Sequence, residues 1–331
     1  MGKHAESLVA GARRHRAARH RPTNPMQSLL AGLIGAVVAA SLSLGAPLAD
    51  EDPSPDSSDT PQAATAPAAP PAVAAAVAVD PRSFARGGCV ALPARTSPAR
   101  AVVMLDAGHG GPDPGSLGTT LEGRRVAEKE LTLSTTLAAA SLLRDRGFTV
   151  VLSRSTDDLS STIKAGDVQN GSLTTAASQN DLLNRVRCAN LARADALVSI
   201  HFNAFDDPSV TGSETLYDVD RPLAPRSRAL ARSLQTGIHA GLAVLGRPSP
   251  DRGIVDDSSG GEAVGGHLVL LAPRIPGYVD EPSMMPGALV EPLFLTNPDD
   301  LTAVASARGV ATLADAISGG VEEYLDEEHR R

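Results

Sequence analysis

The chain has no tryptophan, and its three tyrosines and five phenylalanines make aromatics 2% of 331 residues. A recognition surface built of stacked rings is therefore not expected. Cysteine is almost as scarce, at two residues. No CxxC pair and no HExxH helix occurs, so the local motifs of zinc ribbons and thermolysin-like proteases are absent. Basic charge is concentrated at one end. Residues 1–25 hold six Lys or Arg against one acid, whereas the whole chain has a formal charge of -8. The remainder is acidic and lacks a basic stripe, which excludes a nucleic-acid partner.

Hydrophobic residues make up 42% of the chain, enough for a core of Ala, Val, Leu and Ile in a domain of ordinary size. The longest apolar run, LLAGLIGAVVAASLSL from Leu29 to Leu44, follows the basic cluster of residues 13–21 and precedes small residues at Ala46 and Ala49. Residues 1–49 thus read as a secretory signal, or as an uncleaved N-terminal membrane anchor, and the chain is expected to be exported to the cell envelope or beyond. Pro47 stands where a cleavage site wants a small residue, so cleavage is left open. Residues 50–97 read as a Pro/Ala-rich linker that buries too little apolar surface to order itself. Residues 98–326 read as one domain and residues 327–331 as a tail. In an exported protein the two cysteines, Cys89 and Cys188, permit a single disulfide pinning the end of the linker to the domain.

The domain alternates strand and helix patterns. AVVMLD, FTVVLSR, ALVSI, SETLYDV, HLVLL and GALVEPLFL have strand length. A helix is expected over ELTLSTTLAAASLLRDRG with Leu133, Leu137 and Ala140 on one face and Gly147 at its end. Others cover NDLLNRVRCANLARA, about Arg226–Leu245 and about Thr312–Tyr324. The fold class is α/β: a single domain with a mostly parallel central sheet and helices on both faces. In such sheets ligands bind at the carboxyl ends of strands. His109, His201 and Glu291 each stand at one of those ends. The glycines of GHGG clear space beside His109. His239, His267 and His329 read as ordinary polar residues. Two imidazoles and a carboxylate suit a catalytic zinc, which takes three protein ligands and leaves a fourth position open.

The segments LDAGHGGPDPGSLG, AEKELTLS, LLNRVRCANLARADALVSIHFNA and ALVEPLFLTNPDD follow in this order within about Val102–Tyr324. Together they resemble the zinc-dependent N-acetylmuramoyl-L-alanine amidases that cleave peptidoglycan. The resemblance implies one Zn²⁺ per chain, held by His109, Glu128 and His201, with Glu291 as the catalytic carboxylate. The choice of Glu128 over Glu122 or Glu130 rests on the resemblance alone. Asn203 in SIHFNA and Arg252 in DRGI are candidate substrate contacts. The bond cut would be the amide between the lactyl group of N-acetylmuramic acid and L-Ala of the stem peptide. A catalytically idle peptidoglycan-binding protein and a zinc peptidase acting within the stem peptide stay open as alternatives.

The pattern departs from the family at Ala107, where many members have Pro, and at Leu293, where Gly or Ala is frequent. Residues 156–180 and 247–287 look inserted, as lids or substrate walls would be. No wall-binding module is expected after the catalytic segment, so the chain either acts unassisted on released or accessible muropeptides or is brought to the wall by a protein partner, which is also a candidate regulator.

Overall fold

A computed structural model describes residues 76–259 and 266–331. The N-terminal signal or anchor, and most of the linker, lie outside the described residues. In chain order the elements are β1 (Val77–Ala78), β2 (Gly88–Leu92), β3 (Val102–Ala107), β4 (Leu117–Thr119) and β5 (Arg125–Ala127). Then come α1 (Glu128–Asp145), β6 (Thr149–Arg154), β7 (Val168–Gln169), β8 (Ser172–Leu173), α2 (Thr175–Leu191) and β9 (Ala196–Ile200). β10 (Ser213–Tyr217), α3 (Ala224–Val244), β11 (Asp251–Asp256), β12 (Gly287–Glu291), α4 (Pro298–Val304) and α5 (Ala307–Arg330) complete the chain.

Eight strands form one sheet in the order β1-β2-β6-β3-β9-β12-β10-β11. Its centre, β6-β3-β9-β12, is parallel throughout. β2 runs antiparallel to β6 on one side and β10 antiparallel to β12 on the other. All of ALVSI and GALVE is buried, as expected of parallel strands covered on both faces. The pleat sends Val103, Leu105, Val150, Val198 and Val290 towards α1, α3 and α5. Met104, Val151, Leu197 and Leu289 point the other way, against Val186, Cys188 and Ala189 of α2. The expected α/β class, with helices on both faces, is the observed one.

Four expectations need correction. The linker does not reach residue 97: β2 pairs with β6, and Cys89 and Val90 are buried in the core. The tail is the last turn of α5, which continues to Arg330. HLVLL is not a strand. Its main chain closes on itself, with the amides of Leu271 and Ala272 both donating to the Leu268 carbonyl, while Val269, Leu270 and Leu271 fill the core beside α2. A short apolar run only signals burial, and here a turn supplies it. In α1 the buried face is Leu131, Thr132, Thr135, Thr136, Ala139, Ala140 and Leu143, with Leu133 and Leu137 at its margin. The sheet beneath it and α5 beside it, rather than apolar spacing alone, set that orientation.

Local signals fix several boundaries. The Thr174 hydroxyl caps α2 and that of Ser306 caps α5, each accepting a first-turn amide. Gly147 ends α1 at φ +91. β12 stops at Glu291 because Pro292 has no N–H to continue the ladder. The sulfurs of Cys89 in β2 and Cys188 in α2 are bonded, with the Cα atoms 5.5 Å apart. Among the described residues no helix is long and apolar enough to cross a membrane.

Candidate metal centre

Three neighbouring parallel strands deliver the side chains. β3 ends two residues before His109, β9 ends next to His201, and β12 ends with Glu291. Glu128 comes from the first turn of α1, where the helix dipole favours a carboxylate. It is buried, while Glu122 and Glu130 are exposed, so only Glu128 among the three stands beside the histidines. His109 Nε2 is 3.1 Å from Glu128 Oε2, and His201 Nδ1 is 3.2 Å from Glu128 Oε1. The imidazoles meet edge to face, 4.9 Å between centroids. One ligand atom from each of the three residues falls within 4.8 Å of the others.

Two glycines make this convergence feasible. A Cβ on Gly108 would lie 2.5 Å from the His201 ring. At Gly115, in the left-handed region at φ +65, it would meet both His109 and Glu128 within 2.7 Å. The expectation that the GHGG glycines clear space beside His109 needs correction: Gly108 makes room for His201 and Gly110 for Asp158 and Arg154, while Gly115, outside that motif, clears the space beside His109.

Sequence reasoning missed the residues that hold the loop. His109 itself sits at φ 61, a conformation costing a non-glycine residue about 1–3 kcal/mol. Arg185 donates to the Ala107 and His109 carbonyls at 2.8 and 2.7 Å, and Arg154 to those of Ala107 and Gly108 at 3.0 and 2.9 Å. The buried Arg185 also pairs with Asp106 and Asp181. Burial raises the Asp106 pKa, but Arg185 and the Ser199 hydroxyl more than offset this and hold it below the usual value. A signal for this brace was available: Asp106 is a charge inside an apolar strand, which demands a buried partner. Asp113 was also missed. Its Oδ2 is 2.9 Å from His109 Nδ1, so it orients the ring with Nε2 towards Glu128.

The donor set is short of positive charge. Burial disfavours a charged His109, yet Glu128 and Asp113 outweigh it and push its pKa up to about 10. Burial, reinforced by Glu128 and Glu214, pushes Glu291 well above the usual carboxylate range. Glu291 Oε2 is buried without a hydrogen-bond partner. An acceptor left bare beside two imidazoles and a carboxylate fits a divalent cation with its reacting water.

The remaining candidates lie beside Glu291 without joining the ligands. Glu214 faces Glu291 across the β10–β12 ladder. Asn203 is buried; its side-chain amide donates to Glu214 at 2.7 Å and its side-chain oxygen accepts from the Ala204 amide. Arg252 lies over the Phe294 ring at 5.0 Å and 3.6 Å from Glu214, with 21% of its side chain exposed. Neither His239 nor His329 approaches the centre; His267 belongs to a separate buried group.

Known proteins resemble the chain in both sequence and fold. The family described as N-acetylmuramoyl-L-alanine amidase matches residues 103–323. The amidase LytC of Bacillus subtilis is 31% identical over 222 residues, covering 67% of this chain and 35% of its own length, so the chain spans about a third of that relative. An N-acetylmuramoyl-L-alanine amidase from Clostridium difficile 630 superposes with a TM-score of 0.50 at 29% identity, over 70% of this chain and all of its own. The CwlD amidase of Clostridioides difficile, solved in complex with the GerS lipoprotein, gives a TM-score of 0.52 at 26% identity over 69% of this chain and all of its own. The order of the four segments, the parallel sheet and the matched span agree, and the chain belongs to the N-acetylmuramoyl-L-alanine amidase family.

Proposed function

We propose that this chain hydrolyses the amide between N-acetylmuramic acid and L-Ala of the peptidoglycan stem peptide, with one Zn²⁺ held by His109, Glu128 and His201. The observation that carries the reading is the convergence of those three donors beside the unpartnered, buried oxygen of Glu291. When bound, zinc supplies Lewis acidity to the water and to the scissile carbonyl. Glu291 takes the proton from the attacking water and returns it to the departing amine. Arg154 and Arg185 keep the His109 carbonyl loop fixed, so the ligand geometry costs no reorganisation during turnover.

Asn203 acts here as a positioning residue, since its side chain is committed to Glu214 and to the local backbone. Arg252, with 21% of its side chain exposed, is the candidate partner for a stem-peptide carboxylate. The basic arm and apolar run of residues 1–49 support export, and work on the cell wall demands it. The CwlD–GerS complex supports a regulatory protein partner for this chain too.

Digestion of purified peptidoglycan by the full chain, followed by mass spectrometry, tests the reading. Release of intact stem peptides, abolished by a chelator and restored by Zn²⁺, is the expected result. Shortened peptides would mean a peptidase, and bound sacculi with no product a binding protein.

A further inference from the structure

A second group of ligand-type atoms lies at the opposite end of the sheet. Asp218 follows β10, Asp257 opens the 3₁₀ turn after β11, and His267 comes further along the chain. β10 runs antiparallel to β12 with Glu214 opposite Glu291, so Asp218, four residues on, is displaced by about 13 Å from that level. Since β11 runs parallel to β10, with Asp256 opposite Tyr217, Asp257 emerges at the same edge.

His267 Nδ1 is 2.8 Å from Asp218 Oδ2 and 3.4 Å from Asp257 Oδ1. The two aspartates are 1% and 0% exposed. None of these three atoms makes a hydrogen bond among the described residues, because none of the approaches has hydrogen-bond geometry. The other carboxylate oxygens are engaged. Asp218 Oδ1 accepts from the Asp220 and Arg221 amides, and Asp257 Oδ2 from the Leu268 amide. Main-chain donors therefore aim one bare oxygen of each carboxylate at the same imidazole nitrogen. Such oxygens are costly to bury unless something positive lies between them. The three atoms fall within 4.8 Å of one another, as those of His109, Glu128 and His201 do. Donors about 2.0–2.2 Å from one ion stand roughly 3–3.5 Å apart, close to this spacing. On the far side of the ring, Asp220 lies 3.8 Å from His267 Nε2 and adds negative charge behind the ligand.

We propose that Asp218, Asp257 and His267 form a second divalent-cation site with a structural role, distinct from the hydrolytic centre. One imidazole nitrogen and two carboxylate oxygens suit a first-row dication such as Zn²⁺ better than Mg²⁺ or Ca²⁺, which prefer oxygen alone. The ion would tie the ends of β10 and β11 to the segment that re-enters the core at Leu268. This inference does not depend on the substrate or bond assigned above.

The test counts Zn²⁺ per full chain by elemental analysis after equilibration with the metal and removal of the excess. Wild type should hold two ions, His109→Ala one, and Asp218→Asn/Asp257→Asn one. The His109→Ala protein should also gain thermal stability on addition of Zn²⁺, and adding the two aspartate substitutions should abolish both the ion and the gain. A His109→Ala protein that holds no Zn²⁺ and shows no shift would overturn the proposal and leave the group as a metal-free cluster. If the double aspartate variant does not fold, His267→Gln takes its place; failing both, a count of one ion in folded wild type overturns the proposal equally.

Discussion

The two ends of the sheet assemble nearly the same ligand chemistry by different means. At the carboxyl end of the parallel strands, His109 and His201 share Glu128, and buried guanidiniums clamp the carbonyls of the loop that carries His109. At the other end, Asp218 and Asp257 are aimed by backbone amides alone. The first arrangement holds a strained backbone and leaves an acceptor, Glu291, free to work. Among the described residues the second has no buried, unpartnered carboxylate beyond those of its own donors. The difference separates a site built to react from one built to fasten: a reacting site needs a group in excess of its ligands, and a brace to keep that group in place.

The largest effects should break this comparison at the hydrolytic end. Glu291→Gln is expected to lower turnover by about 10²–10⁴-fold with metal binding retained. A variant of near-normal activity, assayed on the same peptidoglycan, would remove Glu291 from catalysis. Arg185→Leu leaves Asp106 and Asp181 buried without their partner and should cost about 3–5 kcal/mol in denaturant unfolding. Its Zn²⁺ loss should be confined to the hydrolytic centre; equal loss from both groups would show that the brace is not local. Replacing Cys89 and Cys188 by Ser should cost about 2–5 kcal/mol, read in the same assay. Asp113→Ala should weaken metal affinity or activity by about 10–100-fold, measured with a competing chelator.

The smallest expected effect is one of pH. The pKa of Asp106 is lowered in the folded chain, so its contribution is complete above the unfolded value of about 4 and is lost as pH falls through the lower folded value. Wild type should therefore lose stability in that acid range more steeply than an Asp106→Asn/Arg185→Leu variant. Parallel acid curves would show that the ion pair does not set the slope.

The convergence beside Glu291 was legible in part because strand ends are visible in sequence. His109, His201 and Glu291 all follow buried apolar runs, and parallel strands bring such ends together without further information. Glu128 was different: nothing in its neighbourhood separates it from Glu122 and Glu130, and only the family resemblance did so. Arg154 and Arg185 read like surface arginines, since burial of a charge depends on partners far along the chain. His267 looked ordinary for a related reason. Its partners follow β10 and β11, which run against the parallel strands, and sequence shows a strand without its direction. The turn at HLVLL and the extra antiparallel strand β2 were hidden in the same way, by pairing rather than by composition.

The Cys89–Cys188 bond joins residues 99 positions apart, and the span between them carries His109, Asp113 and Glu128. Within that span residues 162–166 are all exposed, in a stretch between β6 and α2. An exposed loop is where an extracellular protease cuts first. One cut there would leave two fragments still joined through sulfur, with His109 and Glu128 on the first and His201 and Glu291 on the second. In a reducing gel the chain would run as two pieces and in a non-reducing gel as one. The bridge thus makes a single nick in that loop survivable.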